Sequence, residues 1–150
     1  MGEKMIVGTL EICDLPNLGI KNLTVKVDTG AKTSSIHVDH IEPFKKHGKP
    51  WIRFAIHPDV YNTESLQYCE CPIHDIRPVK SSNGQSEQRY VIKTAFVLGE
   101  YDWPIEITLT DRSEMSYLML LGREGMADRI LVDPSQRFLI TSDESQKKDN

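Results

Sequence analysis

Apolar residues recur at every second position over short runs of this chain, and this pattern limits the folds open to it. Such runs predict strands with one buried face, and Gly, Pro, Asn and Ser residues between them predict turns. Long stretches with the 3.6-residue period of an amphipathic helix are hard to find. The sequence therefore predicts an all-β protein with a closed or sandwich-like arrangement of strands. The predicted strands cover residues 5–12, 23–27, 34–41, 51–56, 73–79, 90–98, 104–110, 117–121 and 138–140.

Size and composition predict one domain. A chain of 150 residues with 39% hydrophobic residues suffices for one core. We expect that domain to cover residues 1–141, and the polar tail 142–150 to be disordered because it has nothing to bury. The only segment that favours a helix is 123–130, directly after Gly122. Trp51 and Trp103 are predicted to anchor the core.

The charge balance bears on partners and location. The 18 Lys and Arg residues against 22 Asp and Glu residues give a net charge of −4, which argues against a protein whose main task is to coat nucleic-acid phosphates. We predict no direct nucleic-acid partner, and a local basic patch stays open as the alternative. No apolar run approaches the roughly 20 residues that span a membrane, and residues 1–14 do not read as a secretory signal. Three cysteines, Cys13, Cys69 and Cys71, fit a reducing compartment better than a disulfide framework. We therefore expect a cytoplasmic protein without membrane contact.

One predicted strand ends in a segment that contains a candidate catalytic residue. Val25-Lys26-Val27 leads into Asp28-Thr29-Gly30-Ala31, so the Asp28 carboxylate should project from a strand end into a tight turn. Asp-Thr-Gly-Ala is the signature of aspartic proteases, although Asp-Thr-Gly also makes ordinary turns. The segment by itself leaves both interpretations open.

A second segment favours the protease interpretation. Met119-Leu120-Leu121-Gly122-Arg123 resembles the apolar-apolar-Gly element, with its following Arg and helix, that packs under the active-site loop of retropepsin-like proteases. Between the two segments, Ser81-Ser82-Asn83-Gly84 is a strong hairpin-turn signal. We interpret the hairpin around residues 80–88 as the flap of such a protease; the alternative is a plain surface turn.

The resemblance narrows to one family. Nearly the whole chain except the tail looks like the bacterial and archaeal retropepsin-like family that carries the label ATP-dependent zinc protease. That resemblance implies an acid-protease barrel with one short helix after Leu-Gly-Arg. Members often accompany an ATP-grasp ligase that adds glutamates to a ribosomal protein, which implies a role in trimming or regulating the glutamate tail. The segments that carry the resemblance are 11–20, 28–37, 75–92, 109–123, Asp133-Pro134-Ser135 and 138–140.

Aspartic protease chemistry needs two facing carboxylates, and this chain contains one Asp-Thr-Gly. Two close carboxylates hold one proton between them, so that one acts as a base and the other as an acid. The sequence therefore predicts a homodimer with an Asp28 from each copy across a twofold axis. The predicted catalytic residues are Asp28, Thr29, which would brace the loop through its hydroxyl, and Gly30.

Basic residues near these motifs suggest the substrate. Lys32, Arg77, Arg89, Arg112 and Arg123 could converge on one cleft, where guanidinium groups would hold the carboxylates of an acidic or glutamylated peptide. The alternative is that they are solvated surface charges or structural ion pairs. The predicted substrate-binding residues are Ala31, Lys32, Arg77, Ser81, Ser82, Arg89, Gly122 and Arg123.

The zinc and ATP of the family label find no support in the residues. The chain has neither a His-Glu-x-x-His helix nor a phosphate-binding loop, and Cys69-x-Cys71-x-x-His74 is a weak metal pattern. We predict no metal and no cofactor. Two other hypotheses stay open: a binding or regulatory module for glutamate-rich tails or for the ligase, and a zinc-dependent hydrolase.

Overall fold

Strands dominate the protein, as the two-residue periodicity predicts. A computed structural model describes residues 4–57, 66–80, 84–111 and 117–141, so the predicted tail 142–150 lies outside the described residues. In those ranges no helix has the length and apolar character needed to cross a membrane. The elements are β1 (Met5–Val7), β2 (Leu10–Leu15), a 3₁₀ turn (Pro16–Leu18), β3 (Ile20–Val27), β4 (Ser34–His37), β5 (Asp39–Lys46), β6 (Lys49–Ile56), β7 (Gln67–Pro72), β8 (Asp75–Lys80), β9 (Ser86–Leu98), β10 (Tyr101–Thr110), β11 (Met119–Leu121), α1 (Arg123–Met126) and β12 (Ile130–Val132).

Six strands close into a barrel. Their order is β10-β4-β11-β3-β2-β9, and antiparallel pairing of β9 with β10 completes the ring. Strand β8 pairs with β9 outside the ring and forms the first arm of the predicted flap hairpin. The prediction of a retropepsin-like barrel with one short helix after Leu-Gly-Arg is confirmed.

The barrel is filled by the inward residues of its strands. Phe96 and Trp103 meet edge to face with ring centroids 5.2 Å apart, and both are buried. Such aromatic pairs add to the free energy gained by burying their area. The core position predicted for Trp103 is correct. Trp51, by contrast, is only half-buried and lies outside the barrel.

Trp51 belongs to a separate three-stranded sheet, β5-β6-β7. Ile52 and Phe54 on β6 turn one face of this sheet into the common core, so the alternate residues, including Trp51, face away from it. Strand β7 was not predicted, because its Gln-Tyr-Cys-Glu-Cys pattern alternates polar and sulfur-bearing residues rather than aliphatic ones. The predicted strand 34–41 is divided at Val38 between the barrel and this sheet.

Two other predictions near the chain ends differ from the structure. The predicted strand 5–12 breaks at Gly8, where a Cβ would lie 2.6 Å from the Gln136 carbonyl oxygen. The predicted helix 123–130 ends at Met126, and the chain turns at Ala127 with a φ of 49°. The residues that follow form β12, which pairs in parallel with β1.

The predicted strand 138–140 is held by a buried carboxylate instead of a sheet. Glu11 is fully buried, and its Oε2 accepts the backbone N–H groups of Gly8 (2.8 Å) and Leu139 (2.9 Å). Its Oε1 accepts the Thr141 N–H (3.1 Å) and the Thr141 hydroxyl (2.6 Å). These four hydrogen bonds to the Glu11 carboxylate offset the free-energy cost of burying its charge. Glu11 therefore anchors the C-terminal segment against β2.

The substitution Glu11→Gln should weaken this anchor. The amide NH₂ of glutamine would face donors that now reach a carboxylate oxygen, so buried N–H groups lose their acceptor. We expect a loss of about 2–3 kcal/mol in unfolding free energy, measured by urea denaturation. Glu42→Gln, at an exposed position of β5, is the control and should change the unfolding free energy by less than about 0.5 kcal/mol. Equal unfolding free energies for the two variants would contradict the role of Glu11.

Candidate active site

The Asp28 loop begins where β3 leaves the barrel. The Asp28 N–H donates to the Leu121 carbonyl (2.9 Å), which ties the loop to the end of β11. The Asp28 Oδ1 accepts the Gly30 N–H (2.9 Å), and its carbonyl accepts the Ala31 N–H (3.2 Å). Asp28 itself is half-buried, so its carboxylate is oriented by the turn and remains within reach of solvent. This is the geometry that the sequence predicts.

The predicted Leu-Gly-Arg element locks onto the same loop. The Arg123 N–H donates to the Ala31 carbonyl (2.8 Å), and the next N–H, of Glu124, donates to the Lys32 carbonyl (3.0 Å). Gly122 lies so close that a Cβ there would be 2.5 Å from the Thr33 carbonyl carbon. Its N–H donates to the buried Ser34 hydroxyl oxygen (3.0 Å). Backbone contacts along the whole loop therefore fix its shape.

Arg123 also supports the loop through its side chain. Its Nη1 donates to the Thr29 carbonyl (2.9 Å). Within the part of the chain that the structure describes, no carboxylate lies within ion-pair distance of this guanidinium. The residue is exposed, and within the described ranges its other side-chain N–H groups have no hydrogen-bond partner. Arg123 thus braces the loop and keeps donors for a ligand.

A pocket of about 240 Å³ adjoins the loop. Thr33 and Glu124 form its side nearest the loop, and β8, β9 and β10 form the rest. Two cations and two carboxylates share its wall, so its charge is mixed rather than purely basic. The lining residues are Thr33, Arg77, Val91, Lys93, Pro104, Ile105, Glu106, Thr108, Glu124 and Gly125.

Arg77 lies in this pocket with partners of its own. Its Nε lies 2.6 Å from Asp75 Oδ2, and its Nη2 pairs with Glu106 Oε1. His74 approaches the other oxygen of Glu106 at 3.6 Å. The hydrogen bond from Arg77, together with the Ile76 N–H, lowers the pKa of the Asp75 carboxyl. Arg77 therefore fits both interpretations of the basic residues. It lines the pocket, as a substrate-binding residue would, and it is held in a structural ion-pair network.

The other predicted substrate residues are distributed more widely. Arg89 lies directly opposite Arg77 across β8 and β9, pairs with Glu87 at 2.8 Å and does not line the pocket. Lys32 is exposed at the end of the Asp28 loop. The structure thus joins Asp28, Thr29, Gly30, Ala31, Lys32, Gly122 and Arg123 in one interlocked unit, with Arg77 in the adjoining pocket. Ser81, Ser82 and Arg112 lie outside the described residues.

Lys93, Glu106 and Glu124 are pocket residues that the sequence analysis missed. Lys93 and Glu106 are direct partners in the β9–β10 pairing, and both point out of the barrel. The sequence does carry a sign of Lys93 and Glu106. Lys93 interrupts a run of apolar or small residues in β9, and Glu106 interrupts such a run in β10. We interpreted those runs only as core strands, because sequence does not show which outward positions border a cleft.

The cysteines that the sequence places in a weak metal pattern lie on β7, away from the Asp28 loop. Burial raises the pKa of the Cys69 thiol to about 11, and burial together with Cys69 raises that of Cys71 to about 12, so neither is a thiolate at neutral pH. The described residues contain no group of three or more His, Cys, Asp or Glu side chains placed to hold a metal ion. Asp28 is thus the best-placed reactive group on the loop.

Comparisons with known proteins agree with this geometry. A family model described as RimB-like, retropepsin-like aspartic endopeptidase RimB, matches residues 6–143. Curated relatives named "Probable alpha-L-glutamate ligase" from Shewanella pealeana and Desulfotalea psychrophila are 47% and 44% identical over 92% and 88% of this chain. The chain spans only 30% and 28% of the length of those two relatives.

A solved structure has the same fold. The crystal structure of a Legionella pneumophila protein of unknown function superposes with a TM-score of 0.76 at 28% identity. The match covers 93% of this chain and all of the Legionella chain. The barrel and its three-stranded sheet together therefore match an arrangement already observed by crystallography.

Proposed function

The chain belongs to the RimB-like family of retropepsin-like aspartic endopeptidases, and from this membership we propose that it is an aspartic peptidase. We propose further that it acts as a homodimer on acidic or glutamylated protein tails, such as those of a ribosomal protein. The observation that carries the proposal is the Asp28 carboxylate, held at the end of β3 by a loop that Gly122 and Arg123 lock in place.

The chemistry follows from two such carboxylates that face each other. One is ionised and takes a proton from a water molecule, whose oxygen then attacks the carbonyl carbon of the peptide bond. The other is protonated and donates its proton to the carbonyl oxygen. When the C–N bond breaks, the nitrogen leaves with a proton from the pair, and the product carbonyl forms again. Each Asp28 thus needs a partner from a second copy.

The β1–β12 sheet is our proposed dimer surface. Ile6 and Leu131 are paired neighbours on it and are 54% and 51% exposed, which is unusual for side chains that are this apolar. The Val27 N–H, next to Asp28, donates to the Thr9 carbonyl (2.9 Å), so the chain leaving β1 borders the catalytic loop. Thr29 is exposed, and among the described residues its hydroxyl has no hydrogen-bond partner. Within one chain the hydroxyl therefore does not brace the loop as predicted, and the Thr29 carbonyl is held by Arg123 instead. A second copy placed here would cover the apolar pair and bring in the second Asp28.

The double substitution Ile6→Asp with Leu131→Asp should separate the copies, because it places two charges per chain in an interface that buries apolar area. We expect light scattering to give the mass of one chain, and peptide cleavage to fall at least tenfold. The control is Tyr101→Asp with Leu66→Asp, at two other exposed apolar positions. A double variant that stays dimeric would place the interface elsewhere.

The preference for acidic tails rests on the charges beside the loop. Lys32 and the outward side of Arg123 flank the catalytic turn, and Arg77 and Lys93 line the adjoining pocket. Guanidinium groups suit carboxylates because they bind them through two parallel hydrogen bonds. The relatives named as glutamate ligases suggest where such tails arise, and we propose an ATP-grasp glutamate ligase as a functional partner.

The direct test is incubation with a peptide that carries an oligoglutamate tail, followed by mass spectrometry. We expect stepwise loss of glutamate or release of the tail, and no loss with Asp28→Asn. The match of this chain to a 30% share of ligase-named proteins supports a second candidate, a regulatory module that binds such tails without cutting them. Peptide binding without cleavage by the wild-type protein would favour that candidate.

Glu106→Gln should strengthen the binding of acidic substrates. Glu106 now occupies Arg77, and a neutral amide would release the guanidinium for a substrate carboxylate. We expect the KM for an oligoglutamate peptide to fall by about twofold to fivefold, the range for a partly exposed ion pair, with little change in kcat. Glu100→Gln, at an exposed turn, should leave the KM unchanged. If Glu106→Gln raises the KM, the carboxylate is needed to position Arg77.

A further inference from the structure

The far end of the β5–β6 hairpin concentrates positive charge in a chain whose net charge is −4. Residues 45–53 contain Lys45, Lys46, Lys49 and Arg53 and no Asp or Glu. All six residues from 45 to 50 are exposed. We name Phe44, Lys45, Lys46, Lys49 and Trp51 the basic tip. Its charge opposes that of the molecule as a whole.

The turn sets two of these lysines against each other. Lys46 and Lys49 are direct partners in the β5–β6 pairing. His47 and Gly48 between them have φ values of 53° and 76°, the left-handed pair that closes a two-residue hairpin. Like charges directly opposite on a sheet are destabilising. The repulsion between the two lysines opposes folding, whereas a bound polyanion would relieve it.

Aromatic rings lie among the cations. Phe44 and Trp51 are also direct partners, with ring centroids 6.3 Å apart, and the Lys46 Nζ lies 4.4 Å from the Trp51 ring centroid. Further along the same outward face, the Arg53 guanidinium lies 4.6 Å from the Tyr68 ring centroid. Cations interleaved with aromatic rings on an open sheet are the chemistry that binds single-stranded nucleic acids, through phosphates and base stacking.

We propose that the basic tip binds a single-stranded polynucleotide. Lys46 and Lys49 would contact phosphates on the face that carries the aromatic pair, where a base would stack, and Lys45 would contact a phosphate from the opposite face of the hairpin. Glu42 and Glu70 pair with Arg53 in the strand register, and they confine the positive zone to the tip. A surface that binds carboxylates favours arginine, whose guanidinium makes two parallel hydrogen bonds to a carboxylate. The basic tip instead carries lysines, whose ammonium groups are point charges, beside aromatic rings. The net charge predicted no nucleic-acid partner because it averages over the whole surface.

The test uses a fluorescein-labelled 20-nucleotide oligouridine, with fluorescence anisotropy measured between about 50 and 200 mM salt. Three single-strand phosphate contacts predict a slope near −2 in log affinity against log salt. Lys45→Gln with Lys46→Gln and Lys49→Gln should weaken binding by at least about tenfold and remove most of that slope. The matched control changes Lys4, Lys21 and Lys26 to Gln, which alters the net charge equally at other exposed positions.

The fluorescence of Trp51 distinguishes binding of a polynucleotide from binding of polyglutamate. Trp103 is only 6% exposed, so quenching on addition of RNA reports on Trp51. We expect oligouridine to quench it and polyglutamate of equal charge to leave it unchanged. Equal losses of affinity in the two triple variants, or no binding at low salt, would overturn the proposal. So would equal competition by polyglutamate, which would make the tip a docking surface for acidic protein.

Discussion

Mixing the wild-type chain with an equal amount of the Asp28→Asn chain is expected to leave about one quarter of the cleavage activity given by the same total amount of wild-type protein. Random pairing puts two intact carboxylates in only that share of the dimers. A mixed dimer has one carboxylate and one amide, and it cannot share a proton across the axis. Asp28→Asn alone should lose activity by about a thousandfold or more.

The measurement is the initial rate of oligoglutamate peptide cleavage after the mixture has exchanged subunits. An equal mixture with Asp102→Asn, which alters an exposed carboxylate at the far end of β10, should keep full activity. Retention of one half of the activity would mean that each chain works by itself. That result would contradict the shared site and leave the barrel assignment untouched.

Gly122→Ala is expected to have the largest effect on stability. The backbone at Gly122 is extended, with φ of −87° and ψ of 174°, so alanine could adopt it without strain. The added Cβ, however, would lie 2.5 Å from one backbone atom of Thr33 and 2.6 Å from another. The hydrogen bonds from Arg123 to Ala31 and from Gly122 to Ser34 hold the two segments together, so neither can retreat easily. We expect a loss of about 3 kcal/mol or more in unfolding free energy. Urea denaturation would measure it.

Gly99→Ala provides the contrast. Gly99 has a left-handed φ of 62°, but the nearest atoms to a Cβ there, both of Ile140, are 3.6 and 3.7 Å away. Only the backbone conformation opposes alanine, and the expected loss is about 1–2 kcal/mol. Equal losses of unfolding free energy in the two variants would mean that the close contact between Gly122 and Thr33 does not explain the glycine at position 122.

The sequence predicts which residues share the Asp28 loop because they are near neighbours in two short motifs. Asp28 and Gly122 are 94 positions apart, yet each motif carries its own strand-to-turn pattern. The pocket was harder to predict. Lys93 and Glu106 become neighbours only through the pairing of β9 with β10. The sequence does not show that these outward positions border a pocket, because the pocket forms only when the barrel closes.

The errors in secondary structure have physical causes. Strand β7 carries cysteines where a strand pattern usually has aliphatic residues, and α1 stops at Ala127 because β12 pairs with β1. Trp51 was placed in the core on its size alone. Its register partner is Phe44 on a sheet whose other face is buried, and that relation is a property of the tertiary fold.

The Glu11 anchor also has a consequence for synthesis. The hydrogen bonds from Leu139 and Thr141 to Glu11 join residues 128 and 130 positions apart. During translation at about 5–20 residues per second, the Glu11 carboxylate therefore waits on the order of ten seconds for the donors of Leu139 and Thr141 to be made. Contacts this distant in sequence slow folding. The contacts of the C-terminal segment with Leu10 and Ile12 are thus a late step, and a nascent chain stalled before residue 139 would leave this part of β2 uncovered.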